Sequence, residues 1–520
     1  MKKNMVYCLS LLVALIIVIA SCKTLKTIYK TPKTTYTDAL PADASMILSF
    51  DVKSILKKAE LSEGKNTDLK RKAIDFLKAR MSSPASFAFI EKVIQKPEES
   101  GINIAAPFYI AFTEITKDPV ILAKVNNLNK LKSFWNVMAS ERITTPIEKR
   151  ENYNYGTFAG NNSAICAFNE SVLLFGANNL AEMDKLMSQK KTERGAFNPT
   201  FVKLQERKGE IKYYLNLKTL AKVNFMGTPL NEDMKGKFDM ELFFFMSFEK
   251  GKVCMQADMV TKNENLKQLF EKSAKAIGKQ KSVFTNKIPS SVFAYIGFNI
   301  NGEEYYQYLK DITTTYSTMF AGLAPYFEAG KELFSWIKGD VAVALLDVSS
   351  KGPAVCAYAE VVDASLLKKA VDNLQKNNLI ADNEAIVELK ENDYIYQQGK
   401  IKLHIGVIDK YLYVTNSEEA YQTIIKGTPP SGKTLKDTKF ASKIKGTSQY
   451  MFISVDNILQ SPLGLGVGAK LSKPLSRISY LEIVGSDKHT YGGELNLIMK
   501  DEKTNALAQI MSLIRELSGM

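Results

Sequence analysis

The sequence contains few of the residue types that build metal centres or catalytic triads. Its 520 residues include only 2 histidines, His404 and His489, which lie far apart in the chain. A zinc site draws on several His or Cys ligands, commonly at short spacings, and a Ser-His-Asp triad needs a histidine beside an exposed nucleophile. No G-x-S-x-G turn supplies that nucleophile. We therefore expect no metal and no cofactor, and the sequence identifies no catalytic residue.

Cysteine and tryptophan are also scarce. Of 5 cysteines, Cys8 and Cys22 lie in the N-terminal segment, while Cys166, Cys254 and Cys356 each lie within a strand-like run. Three cysteines cannot form a full disulfide framework, so buried thiols are predicted, with one bridged pair at most. The 2 tryptophans are too few to favour a surface on which sugar rings stack.

The longest apolar stretch lies at the N-terminus, which reads MKKNMVYCLSLLVALIIVIASC. Positive charge followed by the short apolar run Leu9–Ala20 is typical of a secretory signal and is too short for an ordinary membrane span. The ending Ile19-Ala20-Ser21-Cys22 resembles a lipobox, after which Cys22 carries acyl chains. The alternative is a plain signal peptide with a chance cysteine. We predict a lipoprotein signal peptide over residues 1–21 and lipidation of Cys22.

Residues 22–40 are rich in Thr and Lys and have no apolar period. Such a segment buries too little surface to fold, so a flexible tether is predicted. Its lysines either contact anionic headgroups or form a solvated linker. The whole chain has a net charge of +14, but the basic residues alternate with acidic ones along it. This pattern is typical of a mixed-charge surface, and no nucleic-acid partner is expected.

The body of the chain reads as one unit written twice. The segment PADASMILSFDVKS begins at Pro41, and PSSVFAYIGFNING begins 248 residues later, at Pro289. Further pairs, such as IKYYLNLKTL at 211–220 and QYMFISVDNIL at 449–459, lie near an offset of 238. Self-similarity at a fixed period indicates an internal repeat. We predict two repeat units, at 41–280 and 289–517.

Within each unit a smaller pattern recurs, in which an alternating strand runs into a helix. Ser54, Thr219, Gly302 and Asn457 occupy the predicted helix-starting position. Two strands and a second helix follow each one, which gives a βαββα module four times. Adjacent hairpins imply largely antiparallel sheets with helices packed on a face, so the predicted fold class is α+β.

The segments PADASMILSFDVK at 41–53 and KPEESGINIAAPFYIAF at 96–112 carry a family resemblance. They resemble an uncharacterised family of Bacteroidota lipoproteins of unknown function. The resemblance covers most of the mature chain and implies an anchored envelope protein with this repeat layout. It implies no catalytic residues. No acidic run follows Cys22, as it does in many surface-exported lipoproteins of that group, so a location in the outer membrane facing the periplasm is expected.

Two glycine-rich segments imitate phosphate loops. Residues 427–434, GTPPSGKT, match the Walker A pattern, but a helix-like segment precedes them and two prolines remove backbone donors. Residues 463–470, LGLGVGAK, lack dinucleotide spacing and are predicted to form a mobile apolar loop. Neither segment is interpreted as a cofactor site.

These observations favour a non-enzymatic envelope component that binds a protein partner or an apolar or anionic ligand. The alternative is an envelope hydrolase that cleaves glycan or peptide with acidic residues, since such enzymes leave little trace in one sequence. An apolar groove would favour binding. Two facing carboxylates in a polar cleft would favour the hydrolase.

The predicted anchor can be tested by exchanging cysteines. Because only Cys22 follows the lipobox, Cys22→Ser should abolish incorporation of labelled palmitate and release the protein from membranes. Cys8→Ser, inside the signal, should leave both unchanged. A Cys22→Ser protein that still labels and sediments with membranes would place the anchor elsewhere.

Overall fold

The structure is a computed structural model whose described residues fall into two compact units. The first comprises the chain up to residue 257 together with residues 501–520, and the second comprises residues 258–500. The predicted signal peptide and Cys22 lie outside the described residues. The structure describes residues 36–41, 44–61, 67–79, 81–113, 119–158, 164–177, 179–189, 199–220, 239–315, 331–332, 334–349, 352–376, 384–466, 468–485 and 491–517.

Ten strands begin in the described part of the first unit. They are β1 (Met46–Phe50), β2 (Phe108–Phe112), β3 (Val120–Lys124), β4 (Glu148–Lys149), β5 (Asn154–Thr157), β6 (Ile165–Phe168), β7 (Val172–Ala177), β8 (Ile211–Asn216), β9 (Met240–Glu249) and β10 (Lys252–Thr261). Their order across the sheet is β4-β5-β6-β7-β3-β2-β1-β8-β9-β10. The pairs from β4 to β9 are antiparallel.

The second unit repeats this order strand for strand. Its strands are β11 (Ile277–Gly278), β12 (Ala294–Asn301), β13 (Ile337–Ser349), β14 (Gly352–Val361), β15 (Glu384–Lys390), β16 (Asp393–Gln398), β17 (Ile401–Ile408), β18 (Tyr411–Thr415), β19 (Gln449–Ser454), β20 (Ile478–Gly485) and β21 (Tyr491–Met499). The order is β15-β16-β17-β18-β14-β13-β12-β19-β20-β21, and the short β11 also pairs with β12. A shared order of ten strands suggests the duplication that the repeated segments predict.

Helices pack on these sheets, which confirms the α+β fold class. They are α1 (Val52–Lys58), α2 (Thr67–Lys78), α3 (Pro84–Gln95), α4 (Leu128–Ser140), α5 (Leu180–Met187), α6 (Pro199–Glu206), α7 (Leu217–Leu220), α8 (Glu264–Ala276), α9 (Gly302–Thr315), α10 (Leu366–Lys376), α11 (Glu418–Ile425), α12 (Phe440–Ile444), α13 (Val455–Gln460), α14 (Pro462–Leu465), α15 (Ala469–Leu475) and α16 (Ala506–Leu517). Within the described residues, none of them is both long enough and apolar enough to span a bilayer.

The last helix of each predicted repeat packs in the compact unit formed mainly by the other repeat. Helix α16 closes the sequence but buries Leu507 in the core of the first unit, beside α1 and β9. Helix α8 ends the first repeat but packs against α9 in the second unit, where Lys272 Nζ lies 2.5 Å from Asp311 Oδ2. The compact units therefore differ in extent from the predicted repeats at 41–280 and 289–517, whose limits stay a prediction.

Three local expectations differ from the structure. Within the predicted tether, Tyr36–Ala39 form a short 3-10 turn, and Leu40 after it is 1 % exposed because its apolar side chain reaches the core. Helix α1 is capped by Asp51, whose side chain accepts from the amide of Ser54, so the predicted helix start at Ser54 is three residues late. Residues 463–470 contribute to the short helices α14 and α15 and do not form one loop.

The position of α16 predicts which unit it stabilises. Leu507 is 8 % exposed, so Leu507→Ala should lower the free energy of unfolding of the first unit by about 2 to 3 kcal/mol through loss of buried apolar volume. Leu517→Ala, on the same helix, removes a side chain that is 54 % exposed and should change it by less than about 0.5 kcal/mol.

Urea unfolding read by tryptophan fluorescence separates the two units. Trp135 lies in the core of the first unit and Trp336 in the second. In a Trp336→Phe background, Leu507→Ala should lower the midpoint that Trp135 reports. If Leu507→Ala instead shifts only the Trp336 signal, measured with Trp135→Phe, α16 does not stabilise the first unit.

Candidate functional site

An apolar cavity lies in the first unit between α4 and the sheet. It encloses about 70 Å³. Four of the side chains that line the cavity come from α4, at the i, i+3, i+4, i+7 spacing of one helix face. The cavity is lined by Ile102, Phe108, Ile121, Ala123, Leu131, Phe134, Trp135, Met138, Thr144, Phe158, Cys166, Leu173 and Phe175.

Contacts near both ends of α4 hold it over the sheet. At its start, Asn127 caps the helix by accepting from the amide of Lys130 at 3.0 Å. The carbonyl oxygen of Gly101, whose φ is +78°, accepts from the amides of the two residues before the helix, and a Cβ there would lie 2.4 Å from the Asn127 oxygen. Towards the other end, the Trp135 indole N–H donates to the Thr145 carbonyl at 2.9 Å.

The indole of Trp135 also fixes the side of the cavity. It lies so close to β5 that a Cβ added to Gly156 would be 2.7 Å from Trp135 Cζ2. Its ring makes an edge contact with Phe158 at 5.8 Å between centroids, and Phe158 makes another with Phe175 at 5.2 Å. These aromatic contacts hold the wall in place while small Ala123, paired with Leu173 across the sheet, leaves the space unfilled.

The chemistry of the cavity wall is nearly uniform. Cys166 is its only titratable side chain, and burial raises the pKa of that thiol, so it stays protonated and is a poor nucleophile. The hydroxyl of Thr144 is buried and has no hydrogen-bond partner among the described residues. The site thus offers apolar contact and one polar atom, which suits binding of a neutral molecule better than acid–base chemistry.

The second unit contains buried carboxylates, and Asp393 is one of them. It accepts hydrogen bonds from the hydroxyls of Tyr413 and Tyr421, each at 2.7 Å. Burial, followed by the hydrogen bond to Asp393, raises the pKa of Tyr421 to about 12. Both carboxylate oxygens are occupied by tyrosine, so neither is open to a substrate.

The carboxylate oxygens of Glu482 and Asp340 also accept hydrogen bonds from neighbouring groups. The two oxygens of Glu482 accept from Lys443, with further bonds from Tyr450 and Asn496. Asp340 accepts from the amides of residues 281 and 283 and from the side chain of Asn299. These carboxylates anchor strands and loops.

Of the two histidines, His404 lies among the described residues. His404 lies in β17, is 3 % exposed and stacks on Tyr421 with ring centroids 3.8 Å apart. Its Nε2 is 3.2 Å from Glu418 Oε2, and its Nδ1 has no hydrogen-bond partner among the described residues. No hydroxyl or thiol of that part of the chain bonds to it, so no triad forms there. His489 lies outside the described residues.

The remaining motifs take up structural positions. The loop 427–434 follows α11, as the sequence indicates, and Thr434 bonds to Asp437 in a capping box, which engages the hydroxyl that a Walker loop would give to magnesium. Cys166, Cys254 and Cys356 are buried and form no disulfide in the described residues, which confirms the prediction. No group of three His, Cys, Asp or Glu residues within the described ranges is placed to hold a metal ion.

Sequence reasoning missed the cavity, although the apolar face of α4 is visible in the spacing of Leu131, Trp135 and Met138. That spacing predicts burial, and only the volumes of side chains on β2, β3, β6 and β7 determine that a void remains. The tyrosine pair on Asp393 was also missed, since Tyr413 and Tyr421 lie 20 and 28 residues from Asp393 in the sequence.

Comparison with protein families decides the relationship of the chain. The family described as a domain of unknown function, DUF4836, matches residues 36–507. The chain belongs to this family. The match confirms the expected relationship to an uncharacterised family over most of the chain, and DUF4836 carries no assigned activity in its description.

Comparison with individual proteins adds little to the DUF4836 assignment. No curated protein matches the chain. A solved structure described as crystal form IV of TP0453 is similar at 12 % identity and a TM-score of 0.25, covering 43 % of this chain and 79 % of that one. Crystal form III of TP0453 gives 13 % identity and a TM-score of 0.25, covering 48 % and 90 %. We draw no argument from similarity at this level.

The unpartnered hydroxyl on the cavity wall gives a matched stability test. Thr144→Val removes a buried hydroxyl that has no hydrogen-bond partner in the described part of the chain and should raise the free energy of unfolding by about 1 kcal/mol. Thr145→Val removes a hydroxyl that accepts from the amide of Thr157 at 2.9 Å, and should lower it by about 1 kcal/mol. Urea unfolding measures both. A loss of stability in Thr144→Val would show that its hydroxyl is satisfied.

Proposed function

We propose that this chain is a lipid-anchored, non-enzymatic component of the cell envelope that binds a small apolar ligand in the cavity beneath α4. The observation that supports this most directly is the cavity itself. Protein interiors leave few voids larger than a water molecule. An unfilled volume of about 70 Å³ destabilises the fold by about 2 kcal/mol, a cost that a ligand filling the space would offset.

The wall chemistry defines the class of ligand. Apolar cavities of this kind stay dry and take up apolar molecules; an engineered cavity of roughly 150 Å³ binds benzene. The present volume is about half of that, so it fits a few heavy atoms or the end of an acyl chain. A charged group would lose its hydration without gaining a partner. The Thr144 hydroxyl adds a place for one acceptor atom, such as a carbonyl oxygen.

The proposed anchor is consistent with such a ligand. Acylated Cys22 and the tether would hold the body beside a bilayer, in the proposed location at the outer membrane facing the periplasm, and a bilayer is the main source of acyl chains in an envelope. Membrane and ligand are therefore the proposed partners, and nucleic acid is not. The hydrolase alternative finds less support, because three of the buried carboxylates, Asp340, Asp393 and Glu482, accept hydrogen bonds at both oxygens.

Heavy-atom quenching of Trp135 tests the proposal, since this indole lines the cavity. In a Trp336→Phe background, 1-bromopentane and 2-bromoethyl acetate, chains of equal length in which bromine lies only a few atoms from the ester position, should each quench Trp135 fluorescence in a saturable manner. Ala123→Leu fills the space and should abolish the quenching. Ala79→Leu, at an exposed position, should leave it unchanged.

The two probes differ in one ester carbonyl, which tests the role of Thr144. The ester should bind about 3- to 10-fold more tightly, equivalent to one hydrogen bond of roughly 0.5–1.5 kcal/mol, and Thr144→Val should remove that advantage. Equal, non-saturable quenching of Trp135 and of Trp336 would contradict binding in the cavity. Cleavage of the ester by the protein would instead favour the hydrolase.

A further inference from the structure

The second unit ends in an unusually open strand, β15. Among the described strands β15 pairs only with β16, so one of its edges has no described strand beside it. It is seven residues long, whereas the corresponding edge strand of the first unit, β4, has two. Edge strands carry a row of backbone donors and acceptors that can pair with another chain, and short edges limit this. The edge strand of the first unit is short enough to be protected from such pairing, and the edge strand of the second unit is not.

One face of β15 carries exposed apolar side chains. Val387 is 53 % exposed and Leu389 is 45 % exposed, whereas Ile386, on the opposite face, packs against the cluster formed by α10 and Tyr394. Val387 is also directly opposite Ile395 of β16, so the exposed apolar surface continues onto the neighbouring strand. A long edge with exposed apolar side chains is a typical surface for strand addition.

The charges along β15 indicate what adds to it. The sequence is EAIVELK. When a second β15 lies antiparallel with Val387 opposite Val387, Glu384 faces Lys390 at both ends. A twofold centred on Ile386 would place Glu384 opposite Glu388, and one centred on Glu388 would pair that residue with itself. Like charges directly opposite destabilise a strand pair. Among the twofold registers that pair at least five residues of β15, the one centred on Val387 therefore has complementary charges and the other two have like charges opposed.

We infer that a second copy of this chain pairs antiparallel along β15, with the twofold axis at Val387. The contact joins Val387 to its equivalent and Ala385 to Leu389, and extends the sheet of the second unit across two molecules. The register shift between Glu388 and Lys390 and the seven-residue length limit the area buried. The dimer is therefore weak, in the class of small transient interfaces. This inference does not depend on the cavity or its ligand.

Charge exchange at the twofold position tests the register. Val387→Lys and Val387→Glu each place like charges face to face and should weaken the dimer at least about tenfold, or about 1.4 kcal/mol at 25 °C. A mixture of the two variants pairs Lys with Glu and should restore association. Val362→Lys, at a 51 % exposed site outside β15, is the matched control and should behave as the wild type.

The measurement is sedimentation velocity of the full chain in a non-ionic detergent over a concentration series. Dimers of the wild type and of the mixture, with monomers of each single variant, support the inference. A wild type that stays monomeric throughout overturns it, as does a Val387→Lys protein that dimerises like the wild type. A mixture that remains monomeric overturns the proposed register. Val387→Cys gives a second readout, because Cβ atoms opposite each other at a twofold should form an intermolecular disulfide, which Val362→Cys should not.

Discussion

The first unit depends on the contacts that hold α4 away from the sheet beneath it. The Trp135 indole donates to the Thr145 carbonyl and rests on Gly156, and Gly101 fixes the chain that enters the helix. Because these contacts are polar or sterically rigid, the helix cannot settle by the fraction of an ångström that would close the space. The cavity is thus a consequence of where the helix is held, and α4 still buries Leu131, Phe134 and Met138.

The two units share a strand order but differ in the side chains that fill their cores. Their strands follow one order, yet the first unit leaves an apolar space beside its sheet while the second fills its sheet-facing core with tyrosines that bond to buried carboxylates. A buried carboxylate needs every oxygen satisfied, which ties Asp393 and Glu482 to particular neighbours. The first unit thus contains an apolar cavity, and the second contains buried carboxylates that are hydrogen-bonded to tyrosines.

Much of the fold follows from periodicity, and little of the site does. Alternating segments such as residues 211–216 predicted strands correctly, and repeated starts at Pro41 and Pro289 anticipated the matching strand order. The cap at Asp51 was misplaced because several small polar residues in that stretch suit a helix start. The void depends on the volumes of side chains from several separate segments between residues 102 and 175, so no local sequence pattern predicts it. The exchange of α8 and α16 between units is likewise a matter of tertiary packing.

In the proposed function, the cavity beneath α4 is dry and takes up apolar molecules. A crystal structure under xenon pressure tests it most directly, because xenon enters dry apolar cavities. We expect one xenon atom between Trp135 and Ala123 in the first unit, with the surrounding side chains unmoved. Ordered water filling that space, or its closure by movement of α4 onto the sheet, would contradict the account.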